Sequence, residues 1–344
     1  MNIRGQTGLN VDKQFQIEDF IKANNCDIVH LQEINIENDT FSKCNFIEAN
    51  FSVISNNAEN KYGTASLVKN EYLVENLMFD TEGRVIVFDI SGINFANVYL
   101  PSGTDAIARN KRENYLAETI PQILVNRSTS GCIGGDLNCI NDKKDATNNA
   151  AAKVSPSLGR LVKVFGWTDS FRYLHPSSNI FSRYYVARGI TGASRIDQQY
   201  HWGNITPLEA CYSSLAFSDH FAHIVKVKIP DCFRKLSSPK TRPQFKVREE
   251  VARDESFQKT LKLAMDEWKQ VRQEGFPVLS WWEMIVKPGI RKIAMERSKE
   301  INDSRRSQLN ILLLRQAYLV RKIQNFQWDN HLFELFEVQL QIQR

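Results

Sequence analysis

Short β-like runs alternate with helical stretches along residues 1–228, and this alternation constrains the fold more than any other feature. Helical spacing of apolar residues marks 11–23, 109–125 with a bend at Pro121, and 157–165. The strand candidates are residues 27–32, 65–68, 85–90, 94–100, 131–135, 181–186, 196–202 and 222–229. Mixed elements of this kind predict a layered α/β domain in which helices cover the sheets and loops at strand ends carry the chemistry.

The character of the chain changes after residue 230. The stretch 237–243 is short, polar and contains two prolines, which is typical of a boundary. Beyond it, apolar residues at helical spacing run from Phe257 to Trp268, and residues 283–324 predict one or two long helices with a break at Pro288-Gly289. We therefore predict a first domain over 1–230, a linker over 231–256 and a helical basic extension over 257–344.

Charge is distributed unevenly between these parts. Residues 231–344 contain 22 Lys and Arg against 15 Asp and Glu, whereas residues 1–230 contain 22 against 24. A near-neutral body with a basic extension suits a polyanionic partner such as DNA or RNA. A solvated helical surface explains the same charges equally well.

The sequence carries no signal that directs it to a membrane or out of the cell. No apolar run approaches the 18 residues of a membrane span, and the opening Met-Asn-Ile-Arg-Gly lacks the apolar core of a secretory signal. The six cysteines include no Cys-x-x-Cys pair, which argues against a zinc knuckle and favours reduced thiols. We expect a protein of the nucleus or cytoplasm that is neither secreted nor membrane-bound.

Acidic and amide side chains stand at the ends of separate predicted strands, at four places along the chain. Cleavage of a phosphodiester needs a divalent cation, a base that activates water, and groups that stabilise developing charge. Each position alone has an ordinary explanation, such as a surface carboxylate, a β-turn or a helix N-cap. Their order and spacing together indicate phosphodiester chemistry. The positions are Glu33, Asp136 with Asn138 in Gly-Gly-Asp-Leu-Asn, Asp197 in Arg-Ile-Asp, and Asp219-His220 after Ser218.

Together with Asn2 and the Tyr99-Leu-Pro-Ser run, this series resembles the endonuclease/exonuclease/phosphatase superfamily over residues 1 to about 228. Within it, the chain most resembles the abasic-endonuclease-like domain of non-LTR (LINE-type) retrotransposon polyproteins. The Asn-Ile-Arg-Gly opening and the Ser-Asp-His ending carry that resemblance. Trp281-Trp282-Glu283 is similar to the segment between endonuclease and reverse transcriptase in those polyproteins.

The resemblance implies a four-layer α/β sandwich with two central mixed β-sheets, followed by an α-helical extension. It implies that Glu33, Asn2 and Asp219 bind a divalent ion, Mg²⁺ or else Mn²⁺. It implies that Asp136 orients or deprotonates the attacking water and that Asn138 holds Asp136 or the scissile phosphate. It further implies that Tyr99 donates its hydroxyl to the phosphate and that His220, oriented by Asp197, contacts a phosphate oxygen. Nucleic-acid contacts are implied for Ser182, Arg183, Arg195 and Ser218.

The implied function is that of a metal-dependent endonuclease that nicks DNA and leaves a 3′-hydroxyl for target-primed reverse transcription, with element RNA as a further partner of the basic helices. Members of this superfamily carry an apolar strand before the residue equivalent to Asn2, so we expect a truncated central strand here. Alternatives are another phosphoesterase of the superfamily, such as an inositol phosphatase, or an inactive nucleic-acid-binding remnant. Arg183, Tyr184 and Tyr185 on a predicted hairpin suit either a DNA groove or an ordinary strand surface.

Overall fold

The computed structural model describes residues 1–3, 11–34, 45–57, 63–124, 129–147, 153–187, 190–215, 217–229, 247–272 and 277–324, with a few positions after 333. The chain divides into two compact units, Met1–Pro239 with Leu313–Arg344, and Lys240–Leu312. Of the predicted linker over 231–256, residues 231–246 lie outside the described residues, so the domain boundaries drawn from sequence stay a prediction.

Thirteen strands are described. They are β1 (Ile28–Gln32), β2 (Phe51–Asn57), β3 (Gly63–Lys69), β4 (Glu75–Phe79), β5 (Val85–Ile90), β6 (Ile93–Tyr99), β7 (Gly131–Asp136), β8 (Thr168–Asp169), β9 (Arg183–Ala187), β10 (Ile190–Ser194), β11 (Asp197–Trp202), β12 (Thr206–Ser213) and β13 (Ala222–Lys228). All eight strand candidates from the sequence are present, with ends that differ by up to two residues, whereas β2, β4, β8, β10 and β12 were not predicted.

The described helices are α1 (Val11–Asn24), α2 (Asn45–Asn50), α3 (Ala106–Asn114), α4 (Ile120–Leu124), α5 (Pro156–Val164), α6 (Ser170–Leu174), α7 (Glu249–Arg253), α8 (Glu255–Val271), α9 (Val278–Trp281) and α10 (Lys287–Gln324). A π-helical turn, Tyr115–Thr119, joins α3 to α4 directly before Pro121. The bend predicted at Pro121 thus takes the form of a wider turn that accommodates the residue without a backbone N–H.

A six-stranded sheet in the order β4-β5-β6-β7-β11-β8 dominates the first unit. Its β6–β7 pair is parallel and its remaining pairs are antiparallel, so the sheet is mixed. A second sheet has the order β1-β3-β2, and Asn2 extends it by a parallel bridge to Gln32. Two hairpins, β9–β10 and β12–β13, complete the strands.

Burial along β5 shows how the layers form. Ile86 and Phe88 belong to a core that also holds Ile54 and Val68 of the second sheet, so this core lies between the sheets. Alternate residues point to opposite faces of a strand, and Val87 accordingly belongs to a core covered by helices. That helix-side core includes Leu116, Ile120, Leu124, Leu158 and Leu161. Helices α1 and α2 cover the second sheet through Ile17, Ile21 and Ile47, which completes the predicted four layers.

The second unit is helical, as predicted for the extension. Asp254 caps α8 by accepting from the Phe257 backbone N–H at 2.8 Å, and it also accepts from Arg297 of α10 through Nε at 2.8 Å and Nη2 at 3.0 Å. Trp281 donates its indole N–H to the Trp268 carbonyl at 3.2 Å. The break predicted at Pro288-Gly289 is absent, because α10 begins at Lys287 and continues through both residues; a π-helical turn, Trp282–Val286, directly precedes it. None of the described helices has the length and apolar composition that a membrane span requires.

Candidate active site

Three adjacent strands bring Tyr99, Asp136 and Asp197 side by side. In the parallel β6–β7 pair Tyr99 lies opposite Asp136, and in the antiparallel β7–β11 pair Asp197 lies opposite the same residue. Neighbouring residues in register project from the same face of a sheet. Three positions that are 37 and 61 residues apart in sequence therefore meet where neighbouring ends of these three interior strands lie side by side.

Asp136 is 1% exposed and is held by hydrogen bonds on both carboxylate oxygens. Oδ1 accepts from the Asn138 backbone N–H at 3.0 Å, and Oδ2 accepts from Asn2 Nδ2 at 3.0 Å. Burial and the negative charge of Asp197 raise the pKa of Asp136 to about 6, although His220 and Asn2 oppose the shift. A carboxylate with a pKa near neutrality can accept a proton from water, as a general base must.

Asn138 adopts a left-handed backbone conformation with φ of +49°. Its side-chain Nδ2 donates to the Leu100 carbonyl at 2.9 Å, while its backbone N–H bonds Asp136. Asparagine tolerates this conformation better than most residues, which accounts for its place in the turn after β7. The turn therefore fixes Asp136 relative to the end of β6.

His220 and Asp197 form a buried pair, 4% and 3% exposed. His220 Nδ1 lies 2.8 Å from Asp197 Oδ2 and 4.0 Å from Asp136 Oδ2. Burial alone would lower the pKa of His220, but the charges of Asp197 and Asp136 outweigh burial and raise this pKa to about 9. The imidazole is therefore protonated at neutral pH, and with Nδ1 bonded to Asp197, Nε2 is the nitrogen that a substrate oxygen can reach.

Ser182 lies beneath Asp197 and is fully buried. Its Oγ accepts from the backbone N–H groups of Ile196 and Asp197, both at 3.0 Å. The Asp197 carbonyl in turn accepts from the Tyr212 hydroxyl at 2.7 Å. The sequence assigned Ser182 to nucleic-acid contact, but the structure places its hydroxyl on the backbone that presents Asp197.

Arg195 likewise lies inside the protein, with no exposed surface. Its guanidinium donates to both oxygens of Asp145, from Nε at 2.9 Å and Nη2 at 2.8 Å, and pairs with Asp169 through Nη2. Arg172 pairs with Asp145 from the other side. Arg195 is therefore not accessible for the nucleic-acid contact that was predicted for it. Sequence reasoning missed this network because Asp145 stands in Lys-Lys-Asp, which reads as an exposed turn.

Ser218 and Asp219, the two residues before His220, accept hydrogen bonds that position the His220 backbone and the Arg183 side chain. Ser218 Oγ accepts from the His220 backbone N–H at 3.1 Å. Asp219 Oδ2 accepts from Arg183 Nε at 3.1 Å, and the Arg183 side chain is 34% exposed. Arg183 and His220 also pair through their backbones as an isolated antiparallel β-bridge. Of the residues assigned to nucleic-acid contact, Arg183 is thus the one that the structure places at a partly open position beside His220.

Glu33 follows β1 and accepts from the Tyr99 hydroxyl at 3.0 Å through Oε1. Its φ of +56° is uncommon for a residue other than glycine. Burial, together with the charges of Glu33 and Asp136, raises the pKa of Tyr99, so its hydroxyl stays protonated. The Asn138 backbone N–H contacts the Asp136 carboxylate directly, and the Glu33 charge acts on the same carboxylate.

Three buried side chains carry donor atoms that lie close enough together to share a metal ion. Asp136, Asp197 and His220 each offer a ligand atom within 4.8 Å of the others, and they form the one such group among the described residues. His220 Nδ1 is bonded to Asp197 Oδ2 at 2.8 Å, so a cation that used both of these atoms would have to replace that hydrogen bond. Glu33 and Asp219 provide hard oxygen donors, and Mg²⁺ binds to one or two carboxylates with water and substrate phosphate completing its shell. The Glu33 carboxylate is of the kind that suits a divalent ion, and it lies near enough to this group for its charge to act on Asp136.

Comparison with known proteins supports the fold. No family model and no characterised protein matches the sequence. Among solved structures, an AP endonuclease from Archaeoglobus fulgidus is similar with a TM-score of 0.54 and 19% identity, over 63% of this chain and 95% of that one. The 3′ phosphatase NExo from Neisseria, bound to a product DNA hairpin, is similar with a TM-score of 0.55 and 18% identity, over 64% and 95%. The chain therefore has the endonuclease/exonuclease/phosphatase fold that its sequence motifs predicted.

Proposed function

We propose that this protein is a divalent-metal-dependent phosphodiesterase that nicks DNA and leaves a 3′-hydroxyl. The observation that carries the proposal is the buried group of Asp136, Asp197 and His220, in which a carboxylate with a raised pKa lies 4.0 Å from a protonated imidazole. Such a pair can deprotonate water and stabilise a phosphate oxygen in the same step.

In the proposed reaction Asp136 accepts a proton from the attacking water, whose oxygen forms a bond to phosphorus. His220 donates a hydrogen bond from Nε2 to a non-bridging phosphate oxygen as negative charge develops there. Asp197 keeps the imidazole protonated and oriented through its bond to Nδ1 at 2.8 Å. The bond from phosphorus to the 3′ oxygen breaks and the leaving oxygen takes up a proton from solvent water, so the products are a 3′-hydroxyl and a 5′-phosphate.

Glu33, Asn2 and Asp219 would hold a divalent ion, Mg²⁺ or Mn²⁺, that neutralises phosphate charge and stabilises the leaving oxygen when bound. The Tyr99 hydroxyl, held at 3.0 Å by Glu33, would donate to the phosphate. Asn138 would keep Asp136 in place through the bond of its backbone N–H at 3.0 Å. Ionised Asp136 and protonated His220 coexist between about pH 6 and about pH 9, so activity should fall on both sides of this window.

DNA is the proposed substrate on two grounds. The fold is shared with an AP endonuclease and with a 3′ phosphatase bound to a DNA hairpin. The chain also carries a net charge of +7 in residues 231–344, from 22 basic and 15 acidic side chains, which suits a polyanion. The retrotransposon resemblance of the sequence supports the finer proposal that the 3′-hydroxyl primes reverse transcription, with element RNA bound by the basic helices.

Nicking of supercoiled plasmid tests this proposal. We expect open circles in Mg²⁺ or Mn²⁺, none in EDTA, and nicks that a DNA polymerase extends without prior end repair. Inositol phosphates form the contrasting substrate, because release of phosphate from them without plasmid nicking would identify a different phosphoesterase. Nicks that a polymerase extends only after treatment with a 3′ phosphatase would contradict the proposed bond cleavage.

A further inference from the structure

A second cation lies close to Arg183 on the hairpin beside the site. Lys153 donates from Nζ to the Tyr185 hydroxyl at 3.1 Å, and the same Nζ lies 4.5 Å from the centre of the Tyr185 ring. Lys153 is partly buried. Within the described part of the chain no carboxylate pairs with it, and its electrostatic neighbour is Arg183. A partly buried lysine whose charged neighbour is another cation is a position that an anion would stabilise.

Lys153 is held at its backbone by Ile140 and at its ammonium group by Tyr185. Its backbone carbonyl accepts from the Ile140 N–H at 2.9 Å, which ties it to the segment that follows Asp136 and Asn138. Tyr185 lies opposite Gly192 in the β9–β10 hairpin, and a Cβ at Gly192 would come within 2.5 Å of the ring. The missing side chain at Gly192 thus leaves the space in which Tyr185 can lie and hold Lys153.

Arg183 links this cation to the reacting centre. Its guanidinium bonds Asp219 at 3.1 Å, and its backbone pairs with His220. Burial opposes the charged form of Arg183, but the charges of Asp219 and Asp136 outweigh burial and raise the pKa of Arg183. Burial and the Arg183 charge lower the pKa of Lys153 to about 8. Arg183 and Tyr185 are two residues apart on β9 and therefore project from the same face, so the Lys153 ammonium group, bonded to Tyr185 at 3.1 Å, lies on the face that carries Arg183.

We propose that Lys153 and Arg183 bind a backbone phosphate of the nucleic-acid strand, one that flanks the phosphodiester to be cleaved. Tyr185 orients the Lys153 ammonium group and does not itself contact the reacting atoms. A bound phosphate relieves the repulsion between the two cations, and the Asp219 bond leaves the remaining Arg183 N–H groups to reach it. This proposal rests on the proposed DNA-cleaving function, because it assigns a flanking contact to the same site.

Binding of an uncleaved DNA duplex in EDTA tests this contact independently of catalysis. We expect Lys153→Gln to weaken binding about 5- to 10-fold and to reduce the slope of log K against log salt by about one, as the loss of one phosphate contact does. Lys226→Gln is the matched control, because Lys226 is an exposed lysine already paired with Glu209 at 2.8 Å. The control should change neither quantity.

The phosphate can be located with duplexes that carry a neutral methylphosphonate at one position at a time. A methylphosphonate at one flanking position should weaken duplex binding by the wild type. It should leave binding by Lys153→Gln unchanged, since that variant has already lost the contact. Three results would overturn the proposal. The first is a loss of binding by Lys153→Gln no larger than that by Lys226→Gln, and the second is a methylphosphonate effect identical in wild type and Lys153→Gln. The third is Lys153-dependent binding of inorganic phosphate without any methylphosphonate effect.

Absence of nicking by the wild type would refute the proposed function alone, because the duplex-binding measurements in EDTA do not depend on cleavage. Conversely, normal nicking with no difference between Lys153→Gln and Lys226→Gln in binding would refute the phosphate contact alone. A thermal unfolding scan of each variant separates a lost contact from lost structure. A Lys153→Gln protein that melted well below Lys226→Gln would assign a structural role to Lys153 and contradict the proposal.

Discussion

Two buried carboxylates and one buried imidazole share the centre of the site, and their charges decide their protonation. The negative charge of Asp197 disfavours the ionised form of Asp136 and raises its pKa, and the positive charge of His220 offsets part of that effect. Among the described residues Asp197 Oδ1 is buried with no hydrogen-bond partner, so the stability of this carboxylate depends on the His220 contact through Oδ2. The protonation of His220 is therefore a direct measure of the proposed arrangement.

NMR titration of the metal-free protein should place the His220 pKa near 9, above its ordinary value of 6.5. In Asp197→Asn the main stabilising charge is removed while burial remains, so this pKa should fall by at least about one unit, equivalent to about 1.4 kcal/mol. A raised pKa contributes stability that is present below the ordinary value and is lost as pH rises through about 9. A His220 midpoint that Asp197→Asn left unchanged would contradict the pairing.

Ser182→Ala should lower both stability and turnover. The change leaves the Ile196 and Asp197 N–H groups buried without the acceptor that lies 3.0 Å away from each. We expect a loss of about 2–3 kcal/mol in the free energy of unfolding, since unsatisfied buried donors cost this much, together with reduced kcat at unchanged KM. Ser52→Ala, at an exposed serine that bonds Asn70 at 3.0 Å, is the control. Chemical denaturation that gave equal losses in both would refute the positioning role.

Among the secondary-structure elements, the β6–β7–β11 strands determine whether the site assembles. Gly135 allows β7 to approach β6, because a Cβ there would lie 1.9 Å from the Val98 carbonyl oxygen and its φ is +146°. The register that places Tyr99 beside Asp136 depends on this close approach. A glycine inside a strand commonly marks such a point, where another backbone comes near.

Gly135→Ala should therefore be strongly destabilising, by about 3 kcal/mol or more, because both the clash and the backbone conformation oppose it. Gly166→Ala separates the two causes, since Gly166 has a φ of +63° but open space around its Cβ position. That control should lose about 1 kcal/mol. Thermal or denaturant unfolding measures both, and a Gly135→Ala protein as stable as Gly166→Ala would contradict the register described here.

The sequence predicted much of the fold because the strands that carry the site are short, apolar and end in polar residues. Glu33, Asp136 and Asp197 were placed correctly at strand ends on that pattern alone. The roles of Ser182 and Arg195 could not be predicted in this way, since their partners lie elsewhere in the chain. Arg195 pairs with Asp145, 50 residues away, and no local pattern shows that an arginine beside an acidic motif is buried. β2 and β12 carry polar or exposed residues, which removes the alternation that a strand prediction needs.

At the scale of the whole molecule, the basic character of the helical unit is smaller than its composition suggests. Arg297 is paired with Asp254 and Glu300, and Arg305 is paired with Glu250. Lys292 and Lys299 on α10 are exposed, and no ion pair is recorded for either among the described residues. These two lysines are therefore the better candidates for phosphate contacts, while the paired arginines hold the helices together.

The double variant Lys292→Gln/Lys299→Gln should weaken duplex binding uniformly across DNA sequences and lower the salt slope by about two, as the loss of two phosphate contacts predicts. Hydrolysis of bis(p-nitrophenyl) phosphate should not change. Lys22→Gln is a suitable comparison, because Lys22 of α1 is already bonded to Glu18. Fluorescence anisotropy over a range of salt concentrations measures the slopes, and equal slopes for wild type and double variant would refute a role of these lysines in DNA binding.

The rate of plasmid nicking by His220→Ala tests the central claim most directly. Removal of the imidazole takes away the donor to the phosphate and the partner of Asp197 at 2.8 Å, so the rate in saturating Mg²⁺ should fall about 10²-fold or more. His175→Ala, which removes an exposed histidine bonded to the Ala210 carbonyl at 2.9 Å, should nick at close to the wild-type rate. Undiminished nicking by a folded His220→Ala protein would contradict the account.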